Sequence, residues 1–237
     1  MDLGLEGKVA LIAGGSGRIG RAVGAALVEE GATVVLAARS AGPLADAAEA
    51  LGASSVLLDT ADDASVSAAI ADVLARHGRI DVLVNTAAPS ASTLDPARAT
   101  DPSMIVEAID GKAMGYLRVM NAVLPGMLAA GSGRIVNVSG QNALLSDSIP
   151  AAARNGVVSV ASKVLADSVA GSGVGINVVN PGPVTDHPDP QTAHGRPGQS
   201  TYAEVADLVT FLCCARSRAI SGETVAVGHR VRGHMVL

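Results

Sequence analysis

Seven short apolar runs recur along the chain, each followed by a stretch of different rhythm. They are KVALIAG (8–14), TVVLAAR (33–39), SSVLLD (54–59), DVLVNTA (81–87), RIVNVSG (134–140), GINVVNPG (175–182) and ETVAVG (223–228). Short aliphatic runs rich in Val and Ile and bounded by Gly, Asn or Asp predict strands buried on both faces. The intervening segments predict helices at 18–31, 43–52, 62–78, 101–130, from 151 through 163 towards 171, and 203–217. Gly31 stops the first of these. The helix from Asp62 has acids at its start and Arg76 and His77 near its end, which suits the helix dipole. Seven strands alternating with six helices predict an α/β fold, a doubly wound parallel sheet with helices on both faces, as a single domain over 1–237. The polar, proline-rich segment 184–200 follows a strand's carboxyl end, where such folds bind ligands, and is expected to act as a lid.

Composition narrows the function classes. Hydrophobic residues make up 49% of the chain and charged residues 16%, which fits a sheet covered on both sides. The aromatic residues are Tyr116, Tyr202 and Phe211 alone, so stacking platforms for bases are missing, and the net charge of −5 argues against a nucleic-acid surface. Cys213 and Cys214 are adjacent, cannot staple a loop, and read as small apolar core residues. No apolar run approaches the ~20 residues of a membrane helix. The start, MDLGLEGK, lacks a signal pattern, so a cytoplasmic protein is expected. His187 and His194 in the lid segment are a poor metal signature, and no metal is expected; a mobile acid near neutrality is their alternative role.

AGGSGRIG (13–20) joins the first strand to the first helix. Glycines there let the chain turn tightly and let a phosphate reach the helix N-terminus, so strand, turn and helix together predict a dinucleotide site. An acid at the end of the second strand would hold the ribose 2′-hydroxyl of NAD(H). The chain instead has Arg39 followed by Ser40, and Arg39 can pair with a 2′-phosphate. Arg18, within the glycine turn, is a second candidate positive contact. NADP(H) is therefore expected over NAD(H).

AGGSGRIG, Asp59 after the third strand, VNTAA (84–88), GRIVNVSG and NPGPV (180–184) together resemble the short-chain dehydrogenase/reductase family in order and spacing over residues 6 to 230. The resemblance implies a Rossmann-like sheet, a nicotinamide cofactor, a small-molecule substrate and a homodimer or homotetramer. It implies that Gly14, Ser16, Ile19 and Gly20 line the cofactor phosphates, and that Asp59 and Thr60 lie by the adenine. Asn85 to Ala87 would lie by the adenosine ribose, and Pro181, Gly182 and Val184 by the nicotinamide.

The chain departs from that pattern. Ala13 and Arg18 stand for a threonine and a glycine of the turn, Ala88 for a glycine after the fourth strand, and Gly228-His229-Arg230 for an acid and two glycines. The family's four catalytic residues, counted back from NPG and along the long helix, fall on Lys112 (asparagine), Gly140 (serine), Ala151 (tyrosine) and Asn155 (lysine). Ser159 and Lys163 resemble the missing pair but lie too close to Pro181, and read as helix-surface residues. Ser139 should face away from the site, in packing or turn bonding.

The remaining candidates for acid–base work are Lys112 and Tyr116, one helical turn apart, where an ammonium would lower the phenol's pKa. The resulting expectation is an NADP(H)-dependent oxidoreductase acting on a small carbonyl, enone or imine with a non-standard proton donor. The alternatives are a non-redox enzyme (isomerase, cyclase or lyase) reusing the pocket, or a catalytically inactive binding subunit.

Overall fold

The computed structural model describes residues 2–89, 93–145 and 148–234. Among these, seven strands form at the seven apolar runs: β1 (Val9–Ala13), β2 (Thr33–Ala38), β3 (Ser54–Leu57), β4 (Val82–Asn85), β5 (Gly133–Val138), β6 (Val174–Pro181) and β7 (Thr224–Val227). All pair in parallel, in the order β3-β2-β1-β4-β5-β6-β7. The chain winds outward from β1 to β3, then returns and winds the other way from β4. The reversal opens a crevice between the carboxyl ends of β1 and β4, the place where such sheets take ligands.

The helices are α1 (Arg18–Glu29), α2 (Ala41–Leu51), α3 (Asp63–His77), α4 (Pro102–Ile109), α5 (Gly115–Ala130), α6 (Ile149–Ser168) and α7 (Tyr202–Cys213). Alternate strand residues face opposite ways and build two cores. Leu11, Val35, Leu83 and Ile135 pack with Val66 of α3, Tyr116 and Met120 of α5 and Val158 of α6. Ala10, Ile12, Leu36 and Val136 pack with Val23 of α1, Leu44 of α2 and Val205 of α7. Two apolar faces are thus removed from water, which is the main stabilising term for an aliphatic core of this kind.

The single helix expected over 101–130 is interrupted. Between α4 and α5 the chain makes a π-helical turn, Asp110–Met114. A π turn inserts one residue without ending the helix, and the apolar pattern on either side continues, so periodicity does not reveal it. Its consequence is local: Lys112 sits in the widened turn, and its side chain is buried.

Candidate active site

The first βα turn is built by close backbone approach. Gly14 has φ +89°, and a Cβ there would lie 2.5 Å from the Ala87 amide nitrogen. Gly20 packs its α-carbon against the Gly14 carbonyl, where no side chain fits. The N-cap of α1 is Gly17, and no side chain caps it, so the first amides of a twelve-residue helix are left for another acceptor.

This turn forms one wall of a groove. Gly14, Ser16, Arg39, Asp59, Thr60 and Ala87 all line it, together with Pro89 and Gly111. Six of the residues expected to bind a cofactor are therefore brought to one surface. Arg39 is exposed at its rim, at the end of β2 and next to Ser40. Asn85 is fully buried instead: its Nδ2 donates to Asn137 Oδ1 at 2.8 Å, and Asn137 Nδ2 donates to Ser162 Oγ at 2.8 Å, so it ties β4 and β5 to α6. Ala88 does not adopt the left-handed backbone that would call for glycine, since among the described residues only glycines have positive φ.

The second cluster lies at the carboxyl end of β5. Lys112 is 5% exposed, and its Nζ donates to the Ser139 carbonyl at 3.0 Å and to Asn155 Oδ1 at 2.8 Å. A Cβ added to Gly140 would stand 3.3 Å from Asn155 Nδ2. Ala151 is buried one turn before Asn155 on α6. Three of the four counted positions, Lys112, Gly140 and Asn155, thus meet at one corner, with Lys112 as their ionisable member. Burial, and after it the positive charge of Arg154, lowers the Lys112 amine to a pKa of about 7.

Tyr116 corrects an expectation. It lies on the same face as Lys112, with the ammonium 5.8 Å from its ring centroid. Its hydroxyl, however, donates to the Val138 carbonyl at 2.9 Å, and burial pushes the phenol well above its ordinary range. Desolvation opposes the phenolate more than nearby cations favour it, so Tyr116 is a weaker acid than in water, not a stronger one.

The chain matches the family model "short chain dehydrogenase" over residues 8–193. It belongs to the short-chain dehydrogenase family. It is 34% identical over 236 residues to (2S)-[(R)-hydroxy(phenyl)methyl]succinyl-CoA dehydrogenase subunit BbsC of Thauera aromatica, covering 94% of this chain and 93% of that one. It is 35% identical over 242 residues to the 3-oxoacyl-[acyl-carrier-protein] reductase FabG of Vibrio harveyi, covering 95% and 97%. The solved structure of L-sorbose reductase from Gluconobacter frateurii, complexed with NADPH and L-sorbose, superposes with a TM-score of 0.87 at 25% identity, covering 99% of this chain and 100% of that one.

Within this short-chain dehydrogenase, Ser159 and Lys163 stay away from the cluster. Ser159 donates to the Asn155 carbonyl at 3.4 Å, and Lys163 pairs with Asp167 at 2.5 Å on an exposed face of α6. Ser139, expected to face away from the site, turns towards the cluster: its buried hydroxyl donates to the Asn155 carbonyl at 3.1 Å and lies 3.3 Å from Asn155 Oδ1, the atom that accepts from Lys112, because β5 ends at Val138 and strand alternation no longer sets its direction. Arg18 does not line the groove: it donates to the Tyr202 hydroxyl at 3.2 Å and lies 4.0 Å from Asp186 of the 184–200 segment. Ile19 packs against the α1-side core.

Pro181 ends β6, and Gly182 approaches the Gly198 carbonyl too closely for any side chain. Val184 bridges Ser200, so segment 184–200 closes on its own ends. It is also tied to the chain's last described stretch, with Gly195 N donating to the Arg232 carbonyl at 2.9 Å and Gly198 N to the His229 carbonyl at 2.6 Å. His187 and His194 are exposed on it. Among the described residues no group of His, Cys, Asp or Glu could hold a metal, and no helix is long and apolar enough to cross a membrane.

One residue of the site carries no sequence signal of its own. Arg154 precedes Asn155, is 6% exposed, and donates from Nη1 to the Pro89 carbonyl at 3.1 Å. An arginine in a helix otherwise reads as solvated. Its setting among small residues, AAARNG, is the one available hint that it turns inward.

Proposed function

We propose that the chain is an NADP(H)-linked oxidoreductase that moves a hydride to or from a small carbonyl, enone or imine substrate, with Lys112 in place of the usual proton donor. The groove fits the cofactor on its own geometry. Gly14 and Gly20 hold a turn that side chains would fill, the first amides of α1 are uncapped, and Arg39 offers a guanidinium where a 2′-phosphate would lie. The NADPH named in the sorbose reductase complex supports the same assignment. NADP(H), when bound, supplies or accepts the hydride.

The observation that carries the reading is the placement of Lys112, a buried amine bonded to the Ser139 carbonyl and Asn155 Oδ1 beside Gly140; burial lowers its pKa to about 7. A group with a pKa close to the working pH is both populated as acid and ready to give its proton up. Asn155 and the Ser139 carbonyl orient it. The test is NADPH oxidation against a panel of carbonyls, enones and imines, by the wild type and Lys112→Met. Turnover that follows a single ionisation near pH 7 and is lost in Lys112→Met supports the reading; turnover unchanged in the variant removes Lys112 from the chemistry.

A second reading has one specific support. All four counted positions are changed, and the Thauera relative is named as a subunit of a dehydrogenase. The chain would then hold nucleotide beside a second, catalytic chain. NADPH binding without turnover alone, and turnover on addition of a related chain, would favour it. As to assembly, α6 exposes Val160 and Val164 beside Leu117 and Val157, and this apolar strip suits a homodimer or homotetramer. Sedimentation as a monomer at micromolar concentration contradicts that assignment.

A further inference from the structure

Gln141 follows Gly140 just beyond β5, and its side chain is fully buried. In the sheet β6 lies between β5 and β7, yet Gln141 bonds to the end of β7 and the stretch beyond it. Its Nε2 donates to the Val227 carbonyl at 3.2 Å and to the His229 carbonyl at 3.3 Å, and its Oε1 accepts from Val231 N at 2.8 Å. Both N–H groups and the oxygen of the amide are therefore in use. A flipped amide would set its oxygen against two carbonyls, so the network fixes its orientation. One side chain thus spans the carboxyl end of β6, where Pro181 ends the strand and Gly182 leaves it.

The same two carbonyls hold the segment that leaves β6. The Val227 carbonyl also accepts from Gly182 N at 3.2 Å, and the His229 carbonyl from Gly198 N at 2.6 Å. These stretches pack backbone against backbone: a Cβ on Gly182 would collide with the Gly198 carbonyl, and one on Gly198 with the His229 amide nitrogen. On the opposite side Gly140 N donates to Asn180 Oδ1 at 3.1 Å. The contacts close a ring that runs from Gly140 and Gln141 through His229, Gly198 and Gly182 back to Asn180. Gln141 and Asn180 are the side chains that close it. Buried bonds of this kind are costly to leave unmade.

We propose that Gln141 is a positioning residue for the nicotinamide half of the cofactor: through Val227 and His229 it holds Gly182, with its neighbours Pro181 and Val184, in place against the Gly140 corner. The inference rests on the nucleotide reading given above, under which the family resemblance puts those residues by the nicotinamide. It adds that the adenosine half, held at Arg39, does not depend on Gln141, because none of the described residues that line that groove belongs to the ring.

The test compares NADPH with adenosine 2′,5′-bisphosphate, which keeps the adenosine end and lacks the nicotinamide. Binding of each is measured by fluorescence or calorimetry to the wild type, Gln141→Met and Gln141→Glu, at a temperature where circular dichroism shows every protein folded. Gln141→Met keeps the length of the side chain and removes all its bonds. Gln141→Glu keeps the acceptor for Val231 N and, as a carboxylate, loses both donors, so it serves if the first variant does not fold. In either variant NADPH should bind about fivefold more weakly or worse, the scale of one lost hydrogen bond, while the bisphosphate stays within about twofold of the wild type. A role confined to stability would leave both affinities of a folded variant where they were. Affinities unchanged for both ligands, or weakened alike, overturn the role of Gln141 and leave the nucleotide site standing. A wild type that binds neither ligand overturns the nucleotide reading and this inference with it.

Discussion

Lys112 Nζ donates to Asn155 Oδ1 at 2.8 Å across the gap between the π turn and α6. By the proposed count along the chain, these would be the positions of the family's asparagine and lysine, which would make the pair an exchange of places. The geometry predicts that each depends on the other. Lys112→Asn should be destabilising because it strips the buried amide of its donor. Asn155→Lys should be worse because it places two amines together. The double exchange should recover part of both losses, with a coupling of about 1–2 kcal/mol in a thermal or urea double-mutant cycle. Strict additivity would mean that the two side chains do not sense one another.

Stability should carry the signature of the buried amine. Lys112 has its folded pKa lowered to about 7 from the ordinary 10.5, with burial the larger cause and Arg154 the smaller. Between these values the unfolded chain binds a proton that the folded chain does not. Stability therefore rises with pH across that window, and the cost is fully present below it. Unfolding in the window should take up close to one more proton than unfolding of Lys112→Met does. Denaturant unfolding at a series of pH values measures this; identical slopes for the two proteins would rule it out.

The glycine turn predicts a sharp local cost. Gly20→Ala would drive a methyl into the Gly14 carbonyl, backbone against backbone, with no flexible side chain to yield. A loss of roughly 1–3 kcal/mol is expected, the usual range for overpacking, together with weakened nucleotide binding. Gly126→Ala, in α5, meets nothing within 4 Å and is the control that should gain or hold stability. Equal behaviour of the two variants in thermal unfolding would contradict this account of the turn.

The contact of Arg18 with Tyr202 and Asp186 should contribute little to stability, because both charged side chains are exposed and solvent screens them. Asp186→Ala is expected to change thermal stability by less than about 0.5 kcal/mol. A larger loss would show that segment 184–200 leans on the glycine turn more than this geometry allows.

The architecture was legible because its signals are repeated: seven aliphatic runs, each bounded by turn residues, and helices that pack on one side or the other of a parallel sheet. The proposed exchange at Asn155 rests on length alone, since a helix and a buried strand need a set number of residues before Pro181. Three features were not. The π turn leaves the apolar pattern intact on both sides, so α4 and α5 read as one helix. The weak acidity of Tyr116 follows from its burial and its bond to the Val138 carbonyl, which a spacing of four residues does not show. Arg154 points inward because Pro89, distant in sequence, supplies an acceptor there.

The most direct test of the whole account is a fluorescence titration of the purified protein with NADPH and with NADH, repeated on Arg39→Ala. The groove and its arginine predict saturable NADPH binding at least about tenfold tighter than NADH, with Arg39→Ala losing that preference and keeping its affinity for NADH. Equal affinity for the two nucleotides would remove Arg39 from recognition, and no saturable binding of either would contradict a working nucleotide site.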